Sequence, residues 1–220
     1  MDAKTKDNFT FSFIDIIRQD LGEKQWKEFD RSIITRFTRS FRKNCLRYHG
    51  VVDWVYCSPI GALIAKVLKP FSLLPDRCTR NSKFEFVIQE NEGTIYKQRR
   101  YFMDEDAPFT FTSVFGNKPR VHEEFSQGLG MYLKLSVKRG DLLFRDAGYF
   151  FRVGNWRIPI PRWLSVGSFE LLHSNIDERR FQVIIRIAHP LFGTLFYQRG
   201  DFYDTRSLCK LSAVPVSCRE

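Results

Sequence analysis

The side chains of this 220-residue chain that could do chemistry are charges set among apolar neighbours: Arg100 in RRYF, Glu123 in VHEEF, Glu170 in FELL and Arg186 in IIRIAH. A carboxylate inside an apolar cup can serve as general acid or base, and Glu123 with Glu170 is the one pairing of that kind. Strict alternation sends Arg186 to solvent. Arg100 and Glu170, if turned inward, require partners, because an unpaired buried charge costs several kcal/mol or is neutralised.

Other chemistries lack their residues. There is no G-x-S-x-G elbow, no G-x-G-x-x-G and no G-K-[ST] phosphate loop. The five cysteines, Cys45, Cys57, Cys78, Cys209 and Cys218, form no C-x-x-C pair, and reduced structural thiols are expected. The four histidines show no ligand spacing, so no metal site and no cofactor is expected. The sequence leans away from an enzyme.

These residues need elements to hold them. From Asp15 to about Leu46, Trp26, Phe29, Ile33, Phe37 and Phe41 recur at helical spacing, while Arg36, Arg39, Lys43 and Arg47 share another side. After the short β-like run YHGVVDWVYC, Ser58 and Pro59 open a second helix, Pro59 to Leu68, so apolar that burial or a place in a cavity wall is expected. From Lys83 onward period-two alternation takes over, with Phe84, Phe86 and Ile88 on one face. About eight or nine strands joined by short turns favour antiparallel pairing. The expected fold is α+β: a curved antiparallel β-sheet, a half-barrel, with two N-terminal helices packed on or in it.

One domain, 1–220, is expected, with a basic amphipathic helical region at about 10–50, a short strand and apolar helix at 51–80, the sheet at 81–206 and a tail at 207–220. No run of roughly 18 to 20 apolar residues is present and the N-terminus lacks a secretory pattern, which favours a cytoplasmic protein. The formal charge of +10 suits an anionic membrane surface or an acidic protein partner, with Arg36, Arg39, Lys43 and Arg47 as the docking face. Aromatics interleaved with bases, as in YKQRRYF and NWRIPIPRW, also suit nucleic acid, but no RNA-recognition signature accompanies them, so nucleic acid is disfavoured. Oligomeric state is left open.

The ordered set RYHGVVDWV, GALIAKVLKPFSLLP, RRYF with FTS, HEEF, IPIP-RWL, FELL, RRFQVII and HPLFGTLFYQRGDFY, spanning Ser40 to Tyr203, resembles the family termed domain of unknown function 4166. That family also occurs fused behind domains similar to saccharopine dehydrogenase. The resemblance places its R-x-F and F-x-S elements at Arg100, Phe102, Phe111 and Ser113, its acidic positions at Glu123 and Glu170, its proline pair at Pro159 and Pro161, and its closing motif at Gly193, Leu195, Tyr197 and Gly200. Gln98, Arg157 and Ser58 stand where the family has tryptophan, glycine and glycine. The resemblance implies no established activity.

Three functions follow as expectations. The first is a non-enzymatic module gripping an apolar or amphipathic small molecule, with Pro59 to Leu68 as wall or lid and a cavity of about 300 Å³ or more. Its polar site would comprise Arg100, Phe102, Ser113, Glu123, Glu170 and Tyr197. Its rim would comprise Trp156, Pro159, Pro161 and Trp163, the prolines forming a stiff strut across the end and the tryptophans plugging the mouth. The second is an enzyme or enzyme accessory acting on a lipid-like or small metabolite, which requires Arg100, Glu123 and Glu170 to converge. The third is docking of the basic helix to an acidic partner or anionic membrane.

Overall fold

The computed structural model of the chain describes residues 13–41, 45–71, 74–75, 77–103 and 108–204, with side chains left out at 39–41 and 204. The expected tail at 207–220 lies outside them. The helical pattern from Asp15 onward resolves into two helices, α1 (Phe13–Glu28) and α2 (Arg31–Phe41). Gly22 takes φ 68° and interrupts α1, a conformation glycine adopts without the Cβ clash of other residues. Asp30 caps α2, its Oδ1 accepting from the Ser32 N–H at 2.7 Å.

The strands are β1 (Cys45–Cys57), β2 (Thr79–Asn91), β3 (Thr94–Phe102), β4 (Phe109–Gly116), β5 (His122–Phe125), β6 (Leu129–Lys138), β7 (Asp141–Val153), β8 (Trp156–Ile160), β9 (Ser168–Asn175), β10 (Arg180–His189) and β11 (Gly193–Asp204). All pairings are antiparallel, in the order β6-β5-β4-β3-β2-β1-β11-β10-β9-β7, and β6 pairs with β7 again. That last pairing joins the two ends. The sheet is therefore a closed barrel of ten strands with β8 hung on β7, and the expected half-barrel of eight or nine strands is corrected. Closure leaves few bare edges, the usual reason such sheets close.

β5 is so short that β6 beyond Leu133 has no strand on that side. α1 covers this gap: Asp20 accepts from the Leu135 N–H at 3.1 Å and Gln25 from the Val137 N–H at 3.0 Å. Phe13, Ile14, Ile16, Ile17 and Leu21 of α1 are buried, and Phe13 meets both Phe37 of α2 and Phe115 of β4. The helical pair thus closes one end of the barrel with apolar side chains.

α3 (Pro59–Val67) begins where expected, with the Ser58 hydroxyl accepting from the Gly61 N–H at 3.0 Å. Its position departs from expectation. Only Gly61 and Ala65 of the helix are buried, while Ile60, Leu63 and Val67 face outward. α3 lies against β11 on the outside and is not the cavity wall; Leu74 and Pro75, in the segment after it, reach the interior instead.

The proline segment is corrected too. Trp156 to Ile160 pairs with Val153 to Tyr149 as the second arm of a hairpin, so it is a strand and not a strut across the end. Pro159 sits opposite Phe150 within this ladder. Lacking an N–H, it can occupy that position only with its nitrogen on the free edge of β8, and alternation gives Pro161 the same direction. The prolines thereby remove edge donors that would recruit another strand.

Candidate functional site

The inner face of the barrel is largely aromatic and aliphatic, and a cluster of charged and polar side chains from three strands interrupts it. On β3, Ile95 and Tyr101 point inward, and the two-residue period carries Lys97 and Arg99 with them. Ser113 of β4 and Glu123 of β5 complete the group. Glu123 accepts from the Ser113 hydroxyl at 2.6 Å, from Arg99 Nη2 at 2.6 Å and from Lys97 Nζ at 3.2 Å. Arg99 Nη1 also donates to Ser113 at 3.3 Å.

Aromatic rings surround the cations. Lys97 Nζ lies 4.0 Å from the Phe115 ring centre and 5.3 Å from that of Phe13, and the Arg99 guanidinium lies 5.5 Å from that of Phe86. Such ring faces attract cations, more so away from water. Burial pulls Lys97 down to about 8 although Glu123 opposes it. Burial pushes Glu123 up, but Arg99, Lys97 and the Ser113 bond outweigh it and hold the carboxyl at about 2.

Two voids flank this cluster. One, of about 70 Å³, is lined by Phe37, Phe84, Phe86, Phe181, Lys97 and His173 among others. The second, of about 50 Å³, is lined by Tyr149, Met131, Phe111, Phe196, Leu74 and Val166 among others. Arg99, Glu123, Phe169, Leu171 and Ile185 belong to both walls. Each is smaller than the roughly 300 Å³ of a typical small-molecule pocket. A third space of about 410 Å³ is an external groove between α1 and residues 117–121. Its polar groups already bond to one another, as Asp20 does to Leu135 and Asn117 to Gln19.

Of the expected polar site, Ser113 and Glu123 meet inside the barrel; the others do not. Arg100 lies on the outer face with Glu85 at 3.0 Å, one residue out of step with the inward Lys97 and Arg99. Glu170 also faces outward, paired with Arg145 at 2.7 Å. Phe102 is exposed, and Tyr197 lies against Trp54 on the outside. Arg100, Glu123 and Glu170 therefore sit on opposite faces, which removes the enzyme expectation built on their convergence. At about 2, Glu123 is also too weak a base for proton transfer near neutrality.

Trp156 and Trp163 are 80% and 77% exposed and line neither void, and Pro159 and Pro161 are exposed as well, so the tryptophans are not plugs. The basic helix face is corrected at Arg36, which is 2% exposed. It donates to His173 Nε2 at 3.3 Å and Asn175 Oδ1 at 2.9 Å and lies over the Phe181 ring, tying α2 to the barrel. Burial first, then Arg36, lowers His173 to about 3, which keeps it a neutral acceptor. Arg47 belongs to β1 and pairs with Glu85 at 3.3 Å. The Arg39 side chain and Lys43 lie outside the described residues.

The sequence reading missed Lys97 and Arg99. The signal was available: Ile95 and Tyr101, the apolar members of their face, fix the register of β3. The Cys57 N–H donates to the Cys78 sulfur at 3.2 Å, whereas Cys45 is disulfide-bonded, so not every cysteine is reduced as expected. No group of metal-ligating side chains is found among the described residues, and no helix among them is long and apolar enough to cross a membrane.

Fold and site together define an antiparallel up-and-down barrel with an ionic cluster enclosed in an aromatic interior. The chain belongs to the family of domain of unknown function DUF4166, whose model matches residues 30–202. No curated protein matches it.

Proposed function

We propose that this barrel is a non-enzymatic module that binds one slender apolar or amphipathic small molecule along its axis. The observation that carries the reading is a pair of neighbouring voids in a closed, aromatic-lined barrel, sharing Arg99, Glu123, Phe169, Leu171 and Ile185 as a common wall. Barrels of this kind hold small ligands when their side chains do not fill them completely. The small volumes select for a single chain over a ring system. Rotation of the shared wall residues would join the two spaces, and the polar cluster at the junction would fix the position of a ligand's polar atom. The low value of Glu123 supports binding over proton transfer.

Native mass spectrometry of freshly purified protein, before and after incubation with straight-chain compounds of six to ten carbons, tests the reading. A one-to-one adduct lost on denaturation is expected. A full panel giving neither adduct nor thermal stabilisation would overturn it.

A further inference from the structure

The polar groups inside the barrel are unequal in kind. The two voids are lined by two permanent or near-permanent cations, Lys97 and Arg99, and by one carboxylate, Glu123. A lysine ammonium has three donors and a guanidinium five. Lys97 uses one, on Glu123 Oε2, with its remaining surroundings being aromatic rings. Arg99 uses two, on Ser113 and Glu123. The acceptors are committed: Glu123 takes three hydrogen bonds from these partners, and Gln198 Oε1 takes the Tyr101 hydroxyl at 2.6 Å.

Tyr149 adds a further donor. The residue lines the 50 Å³ void together with Arg99 and is 6% exposed, and its hydroxyl has no hydrogen-bond partner among the described residues. A buried hydroxyl without a partner costs on the order of 1 to 3 kcal/mol, and such groups mark places where something else completes the bonding. Among the described residues the lining of the two voids therefore offers two cations against one carboxylate, with spare donors. Asp146, whose charge acts on Tyr149, already accepts from the Phe169 N–H, and His173 Nε2 is taken by Arg36.

We propose that the ligand is an amphiphile with an anionic head, a monocarboxylate with a slender apolar tail. Its carboxylate accepts from Arg99 and the Tyr149 hydroxyl, and its tail lies along Phe37, Phe84, Phe86 and Phe181. This rests on the binding reading above and names the ligand's chemistry. The head supplies the missing negative charge, and a guanidinium suits a planar carboxylate through paired donors. A neutral alcohol of the same length fills the same space without balancing the charge. A quaternary ammonium amphiphile would add a third cation to the cluster.

Isothermal titration of the full chain with octanoate and with octan-1-ol separates the two levels of the argument. Octanoate is expected to bind at least about tenfold more tightly than octanol, the scale of one charge-assisted hydrogen bond. Tyr149→Phe removes a hydroxyl that has no protein partner, so this variant should unfold at the same or higher urea concentration while losing about tenfold in octanoate affinity. Its octanol affinity should fall by less, since a neutral alcohol oxygen accepts a weaker bond than a carboxylate. Equal binding of octanoate and octanol leaves the binding reading standing and overturns the anion. Octanoate affinity unaltered by Tyr149→Phe places the acid on the cationic exterior and likewise overturns it. Binding of neither compound removes the reading and the inference together.

Discussion

Glu123→Gln tests the energetics of the barrel's interior with almost no change of shape. Glu123 is 3% exposed and is the carboxylate within reach of Lys97 and Arg99. Removing one partner of a buried ion pair typically costs about 3 to 5 kcal/mol, since the remaining charge stays buried. The glutamine carbonyl can still accept from Arg99 or Ser113, but its NH₂ adds donors to a site already rich in them. Lys97, held at about 8 with Glu123 present, should fall below neutrality and release its proton, which limits the loss. A cost of about 3 kcal/mol or more in urea denaturation at pH 7, with unchanged slope, is expected. Glu170→Gln is the internal control. Its bond to Arg145, at 2.7 Å, is about as short as the 2.6 Å between Arg99 and Glu123, so distance alone does not separate the two carboxylates. Both of its side chains are about half exposed, however, and such pairs contribute about 0 to 1 kcal/mol. Adding Lys97→Met to Glu123→Gln should recover part of the loss, because the cost of holding an unpaired amine in the apolar interior, deprotonated or not, is gone. Equal costs for Glu123→Gln and Glu170→Gln would falsify the argument that burial decides the strength of this cluster.

Two more outcomes follow from the packing. His173 is held at about 3 against an ordinary value of 6.5, so between those values the unfolded chain binds more protons and stability falls as pH falls. From pH 6.5 to 5 this amounts to about 2 kcal/mol; urea midpoints should show it, and His173→Gln, which keeps an acceptor for Arg36, should leave only the smaller slope from His122, also lowered by burial. If His173→Gln has the wild-type slope, the assignment to His173 is wrong. Gly61→Ala should destabilise by about 1 to 3 kcal/mol, the scale of overpacking, despite alanine's better helix propensity. Its Cβ would run into the Leu195 carbonyl oxygen, forcing α3 off β11; a raised melting temperature would show that the helix is not seated as described.

Particular residues show how far the sequence could be read. Phe84, Phe86 and Ile88 were assigned to one face by alternation, and all three line the barrel interior. Alternation works there because apolar and polar residues take turns. It fails on β3, where Lys97, Gln98, Arg99 and Arg100 are consecutive polar residues and hydropathy does not distinguish the two faces. The Arg100 and Phe102 motif suggests one register, whereas the flanking Ile95 and Tyr101 set the opposite one. Arg36 was misplaced for a related reason. Its charge suggests solvent, but His173, Asn175 and Phe181, all more than 130 residues away in sequence, supply the contacts that bury it.

By itself, then, the sequence determined the antiparallel strands, the capped start of α3 and the aromatic character of one sheet face. These are local properties, set by side-chain period, turn residues and a capping hydroxyl. Only the tertiary structure decided that the sheet closes, because closure depends on which edge of β7 meets β6 and which meets β8 and β9. Hydropathy describes the faces of a strand and carries no mark of its edges. The gathering of Lys97, Arg99, Ser113 and Glu123 is likewise tertiary: three strands bring four polar residues to one point, and their charges are tolerated inside because they meet there.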